Sequence, residues 1–141
     1  MVKAFSKYSN GEEQLTANFK VKEFACKDGS NTILIDVDFV KNKLQRIREK
    51  IGVPIVITSG YRTIEHNKMK GGADSSYHLS GRAFDIVASG VSPHRMSQIA
   101  EELGVKGIIE YNTFTHIDSR EVKYFARDDN GKITKKKCIF F

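Results

Sequence analysis

At 141 residues the chain has the size of one domain, long enough to bury a core. A composition of 40% hydrophobic and 28% charged residues excludes a disordered chain, and no run approaches the roughly 18 apolar residues of a membrane span. The 23 basic and 17 acidic side chains leave a charge of +6, which favours polyanions such as nucleic acid, acidic membrane surfaces or wall teichoic acids. A basic helix and an RNA-binding signature are both lacking, which argues against nucleic acid.

Residues 1–17 are polar and read as an N-terminal arm with a turn at Asn10-Gly11. Phe19, Val21 and Phe24 then alternate, as an extended arm or a short helix. Lys27 to Asn31 is a loop. Ile33-Leu34-Ile35 leads into a helix capped by Asp36 or Asp38, with Val40, Leu44, Ile47 and Ile51 at helical spacing and Gly52 past its end. Pro54 to Thr58 reads as a buried strand that leaves its sheet at Ser59-Gly60. Thr63 to Lys70 is a short helical or irregular segment, and Gly71-Gly72 is a turn, without the GK[ST] context of a phosphate loop. Arg82 to Val87 is a second strand, with Ala83 and Asp85 on one face. Ser92-Pro93 starts a helix with an N-cap and a first-position proline, its apolar stripe Met96, Ile99, Ala100 and Leu103 ending at Gly104. Gly107 to Tyr111 is a third strand, turned by Asn112-Thr113 into another that bears His116. Val122 to Ala126 and Ile133 to Phe141 form a C-terminal hairpin about Asp129-Asn130-Gly131. Its Lys135-Lys136-Lys137 run serves either an anionic partner or the blunting of an edge strand. Cys26 and Cys138 form neither a CxxC pair nor a disulfide framework, and two reduced thiols are expected.

One stretch concentrates the chemistry. In Ser76-Tyr77-His78-Leu79-Ser80-Gly81-Arg82-Ala83-Phe84-Asp85, an imidazole and a carboxylate stand seven residues apart on a turn and the strand that follows. Zinc accepts such N and O ligands at about 2.0–2.2 Å, and a catalytic zinc takes three of them. His116, in Thr113-Phe114-Thr115-His116-Ile117-Asp118, is the candidate third; a surface or core histidine would leave the same trace.

The series SGYRT, N-x-x-x-GGA, S-x-H-x-x-G-x-A-x-D and F-x-H-x-D resembles the zinc peptidases of family M15. That family comprises D-Ala-D-Ala carboxypeptidases, related dipeptidases and cell-wall endopeptidases; the zinc fold of hedgehog domains is similar. The resemblance runs from about Asn18 to Arg120 and leaves the last twenty or so residues unmatched. It implies one zinc held by His78, Asp85 and His116. It also implies that Arg62 faces the substrate, binding a carboxylate or stabilising an oxyanion, and that Ser76 lies close to it; a turn-forming hydroxyl explains Ser76 as well. Many members place a glutamate three residues before the last ligand, where this chain has Thr113. Glu110, at the offset of a hedgehog glutamate, is therefore the expected general base, with Asp118 as alternative base or as a support behind His116. A salt-bridged strand residue is the plainer account of Glu110. His66 and His94 match no ligand position, and His66 is expected at the rim, His94 in solvent.

The resulting expectation is an α+β domain over residues 1–141, a central antiparallel sheet with flanking helices and one zinc. By the resemblance it hydrolyses peptide bonds in peptidoglycan stem or cross-link peptides, of D-Ala-D-Ala type or with L-Ala-D-Glu as the rival bond. A non-catalytic zinc module that binds wall or a protein partner is the alternative. A monomer is expected, made in the cytoplasm because the first residues lack the apolar core of a signal peptide. It would reach the wall after lysis or through a holin-type pore, as a phage endolysin does.

Overall fold

Strand parity decides what the sheet hides. In the computed structural model, which describes residues 1–139, β1 (Val2–Ser6) and β2 (Thr32–Asp36) form an antiparallel pair. A six-stranded sheet has the order β3 (Ile55–Ser59), β4 (Ala83–Ala88), β6 (Thr115–Asp118), β5 (Gly107–Glu110), β7 (Tyr124–Asp129) and β8 (Lys132–Lys136). All its pairings are antiparallel except β5 with β7, where the chain crosses back and runs parallel. Helix α1 spans residues 37–51 and passes through a π-helical turn at Val40–Leu44; α2 is Ile64–Met69 and α3 is Pro93–Glu102.

One face of the large sheet is the core. Phe84 pairs with Ile117 and Ile117 with Ile108, which pairs in turn with Phe125, so these four point the same way and all are buried. The apolar stripes of α1 (Val40, Leu44, Ile47) and α3 (Met96, Ile99, Ala100) cover that face. Phe24 meets Phe84 edge-on at 5.2 Å and Phe39 stacks on it at 5.7 Å, closing the layer from the N-terminal side. Each such side chain contributes about 1.5–3 kcal/mol by burial, so this layer stabilises the fold. The opposite parity, Asp85, His116 and Ile109, looks into a cleft.

The α+β class expected from the sequence holds, as do the caps. The carboxylate of Asp36 accepts from the Phe39 amide at 3.3 Å, Ser92 Oγ accepts from the Arg95 amide at 3.0 Å, and Gly52 ends α1 at φ 71°. Four expectations change. The polar N-terminal arm contributes strand β1, because β2 offers it a free edge. Strand β3 is an edge strand with Val56 in solvent, not a buried one. The sheet has one parallel junction. The last strand ends at Lys136, while Phe140 and Phe141 of the expected Ile133–Phe141 strand lie outside the described residues.

Candidate metal centre

His78 is fixed from two sides. It sits in a 3-10 turn, Tyr77–Ser80, whose preceding Ser76 accepts from the His78 amide at 3.2 Å. Its Nδ1 lies 2.7 Å from the carbonyl oxygen of Gly60, an acceptor only, so that nitrogen donates and Nε2 is left with its lone pair. His116 has the reverse arrangement. Its Nε2 lies 2.8 Å from Asp118 Oδ2 and Nδ1 is turned to Asp85.

Three donor atoms therefore converge. Asp85 Oδ1 is 3.3 Å from His78 Nε2 and 3.0 Å from His116 Nδ1, and all three ligand atoms lie within 4.8 Å of one another. Ligands about 2.0–2.2 Å from a tetrahedral ion stand roughly 3.3–3.6 Å apart, so the spacing fits zinc after a small opening of the cluster. All three residues are buried. Burial alone would raise the Asp85 carboxyl, but hydrogen bonds with His116 and His78 hold it well below the usual carboxylate range. Burial would lower His116, yet Asp118 and Asp85 push it up to about 9. The two carboxylates demand positive charge on this ring, which a proton or a divalent ion supplies.

The surroundings separate the remaining candidates. Arg62 lines the cleft: Nε donates to Ser59 Oγ at 2.9 Å, Nη1 to Asn67 Oδ1 at 3.3 Å and Nη2 to Asp85 Oδ2 at 3.4 Å. Its fork is thus held in place before any ligand arrives. Gly72 is needed beside it, since a Cβ there would run into Asn67 and Arg62. Ser76 both caps the His78 turn and lines the cleft. Asp118 is fully enclosed; burial opposes its charge, but Arg120 and His116 hold it well below the usual range. With one oxygen on His116 and both engaged by Arg120, it orients the ring and does not reach the cleft. Gly107 leaves the room for this pair, as a Cβ would strike the Asp118 carboxylate.

Glu110 stands on the other face, contrary to the expectation of a base beside the ligands. It pairs with Thr115, not with His116, and so points to the helical side. There Oε1 meets His94 Nδ1 at 2.9 Å and Oε2 meets Arg127. His94 is half exposed but held by this contact. His66 is buried in the first turn of α2 near Cys26 and Asp28 and does not line the cleft rim.

The cleft, about 680 Å³, is also walled by residues the sequence reading passed over: Lys70, Tyr77, Tyr111, Phe114, Arg120 and Tyr124. Tyr111 stacks on Phe114 at 4.3 Å, and burial raises its phenol. The Arg120 guanidinium lies 4.8 Å from the Tyr77 ring and 4.7 Å from the Tyr124 ring. Period two in His116, Asp118 and Arg120 was the signal that would have found Arg120. Among the described residues Asp85 is the one carboxylate lining this cleft.

Residues 17–118 match the family model described as Peptidase M15, and the chain belongs to that family. It is 28% identical over 93 residues to the peptidoglycan L,D-endopeptidase MepK of Escherichia coli K12, covering 60% of this chain and 51% of that protein. It is 28% identical over 95 residues to the zinc D-Ala-D-Ala carboxypeptidase of Streptomyces albus G, covering 63% and 37%. A probable peptidoglycan L,D-endopeptidase MepK of Haemophilus influenzae is 32% identical over 91 residues, covering 57% and 49%. The chain thus spans about half the length, or less, of these relatives.

Proposed function

We propose that this member of the M15 family is a zinc peptidase that hydrolyses peptide bonds in peptidoglycan stem or cross-link peptides, at a bond to a D-residue. The observation that carries the reading is the meeting of His78 Nε2, Asp85 Oδ1 and His116 Nδ1 on the wall of a cleft that also holds Arg62. Zinc bound by these three would supply Lewis acidity toward a carbonyl and lower the pKa of water.

The protein's own groups do the rest. Asp118 keeps Nε2 of His116 protonated, so Nδ1 stays available as a ligand. Gly60 does the same for His78 through its carbonyl. Arg62, preset by Ser59 and Asn67, binds a substrate carboxylate or the oxygen on which charge develops. Tyr111, its phenol raised by burial, stays protonated at neutral pH and donates a hydrogen bond from the cleft wall. Tyr77 and Tyr124, with Arg120 across their rings, give a peptide a flat and positively charged floor.

One observation favours a second reading, a zinc module that binds wall peptides without turnover. Hydrolysis needs a proton acceptor near the attacked bond, and the cleft offers no carboxylate beyond Asp85 among the described residues. The test is digestion of purified peptidoglycan by the zinc-loaded protein, with new termini identified by mass spectrometry. New termini, absent with His78→Ala, support the peptidase and name the bond. Binding of the same peptides without new termini supports the second reading.

A further inference from the structure

Outside the cleft, a second set of ligand-type side chains comes together from distant parts of the chain. Cys26 follows the 3-10 turn Val21–Phe24, and the Gly29 amide closes a tight turn on its carbonyl at 3.2 Å. Two residues on, the Asp28 carboxylate accepts from the Ser30 amide at 2.8 Å and from Thr63 Oγ1 at 2.8 Å. Thr63 is the N-cap of α2 and receives the His66 amide at 3.2 Å, which brings the imidazole of His66 to the same place. The Cys26 sulfur, an Asp28 oxygen and a His66 ring nitrogen lie within 4.8 Å of one another. Cys26 and His66 are buried, while Asp28 is exposed.

We propose that Cys26, Asp28 and His66 form a second metal site for a divalent ion of the zinc class, separate from the His78, Asp85 and His116 cluster. A thiolate, an imidazole and a carboxylate together are the donor mixture that zinc and cobalt accept, with water able to complete a tetrahedron. On binding, the Cys26 thiol gives up its proton to solvent and sulfur donates its electron pair to the ion. The exposed carboxylate provides the entry, and the buried sulfur and ring form the closed back of the site. Such an ion ties the turn at residues 26–28 to the first turn of α2. The next residue of that helix, Asn67, holds both Arg62 and the backbone of Ala73 at the cleft. The site is therefore structural and steadies one wall of the cleft. A polar contact between the Cys26 thiol and the Asp28 carboxylate, with no ion between them, is the competing account of the same geometry.

Sulfur makes the two sites distinguishable. The protein is stripped with a chelator, reloaded with Co²⁺, and followed by metal analysis and near-ultraviolet absorption. The expected result is two cobalt ions per chain and a thiolate-to-cobalt charge-transfer band. Cys26→Ser should lose the band and one ion, and Cys138→Ser should keep both. His78→Ala should lose one ion and keep the band, so failure of the peptidase reading leaves this result untouched. Wild-type protein that takes up cobalt without the band overturns the proposal, with no variant required to fold. A band that survives Cys26→Ser overturns it equally.

Discussion

Asp118 and Glu110 are two buried carboxylates with the same company, one histidine and one arginine each, on opposite faces of one sheet. Asp118 holds Nε2 of His116 and pairs with Arg120; Glu110 holds Nδ1 of His94 and pairs with Arg127. By composition the two sets are interchangeable. What separates them is the far side of each ring. Nδ1 of His116 is turned to Asp85 and the cleft, whereas the His94 side chain is half exposed at the start of α3. A carboxylate–histidine pair is thus a support for metal or a plain tether, according to what the second nitrogen meets.

The largest effect expected is from the histidines themselves. Replacing His78 or His116 with alanine should remove zinc from the cluster and, on the proposed peptidase reading, take peptidoglycan turnover down to that of chelator-treated protein. His94→Ala should change zinc content little, and metal analysis of the variants side by side reads the contrast. Next in size is Asp118→Asn, which should weaken zinc affinity by about 10–100-fold, measured by chelator competition. At saturating zinc much of its turnover should return.

Glu110→Gln inverts that pattern. A general base contributes about 10²–10⁴-fold, but a residue on the helical face should leave kcat within a few-fold of wild type. The cost should appear in stability, about 1–3 kcal/mol in denaturant unfolding, because the buried Glu110 side chain loses the charge that pairs it with His94 and Arg127. A turnover loss of a hundredfold at unchanged zinc content would restore Glu110 as the base.

The pH dependence sharpens the comparison on the Asp118 side. In chelator-treated protein His116 is raised from 6.5 to about 9. A raised histidine contributes its stability in full below the unfolded value, and that contribution is lost as pH rises through the folded one. The melting temperature of the stripped protein should therefore fall between pH 6.5 and 9. Zinc should stabilise most at the upper end of that window, where it no longer competes with the proton. Melting curves with and without zinc across these pH values check both signs.

The smallest effect concerns the lysine run at the end of β8, the strand at the sheet edge. If Lys135, Lys136 and Lys137 attract wall polyanions, binding to isolated walls should weaken steeply with salt, since screening acts over about 8 Å at physiological ionic strength. Neutralising the three should flatten that slope. An unchanged slope assigns the run to edge protection, consistent with Lys135 lying over the Tyr124 ring at 5.2 Å.

Much of the fold was legible because local rules sufficed. Ser92-Pro93 announced α3, helical spacing in Val40, Leu44 and Ile47 announced the core face of α1, and Asn130-Gly131 announced the last hairpin, its two residues at φ 54° and 94°. The candidate ligands His78, Asp85 and His116 were equally legible, since the first two share one short motif and the third stands in another. Parity within a strand was readable too, and it places Asp118 on the face of His116.

Parity between strands was not. Glu110 and His116 are six residues apart, an even separation that would share a face in one continuous strand. The turn at residues 111–114 pairs Glu110 with Thr115 instead, and that odd offset sends the two side chains to opposite sides. The meeting of Cys26 with His66, and the parallel entry of β7 beside β5, depend in the same way on contacts between segments far apart in the chain. Sequence by itself determined the candidate metal ligands and which residues lie on one local face. Only the tertiary structure decided which faces meet, because register and crossover are set by the packing of whole elements and leave no trace in the spacing of a single motif.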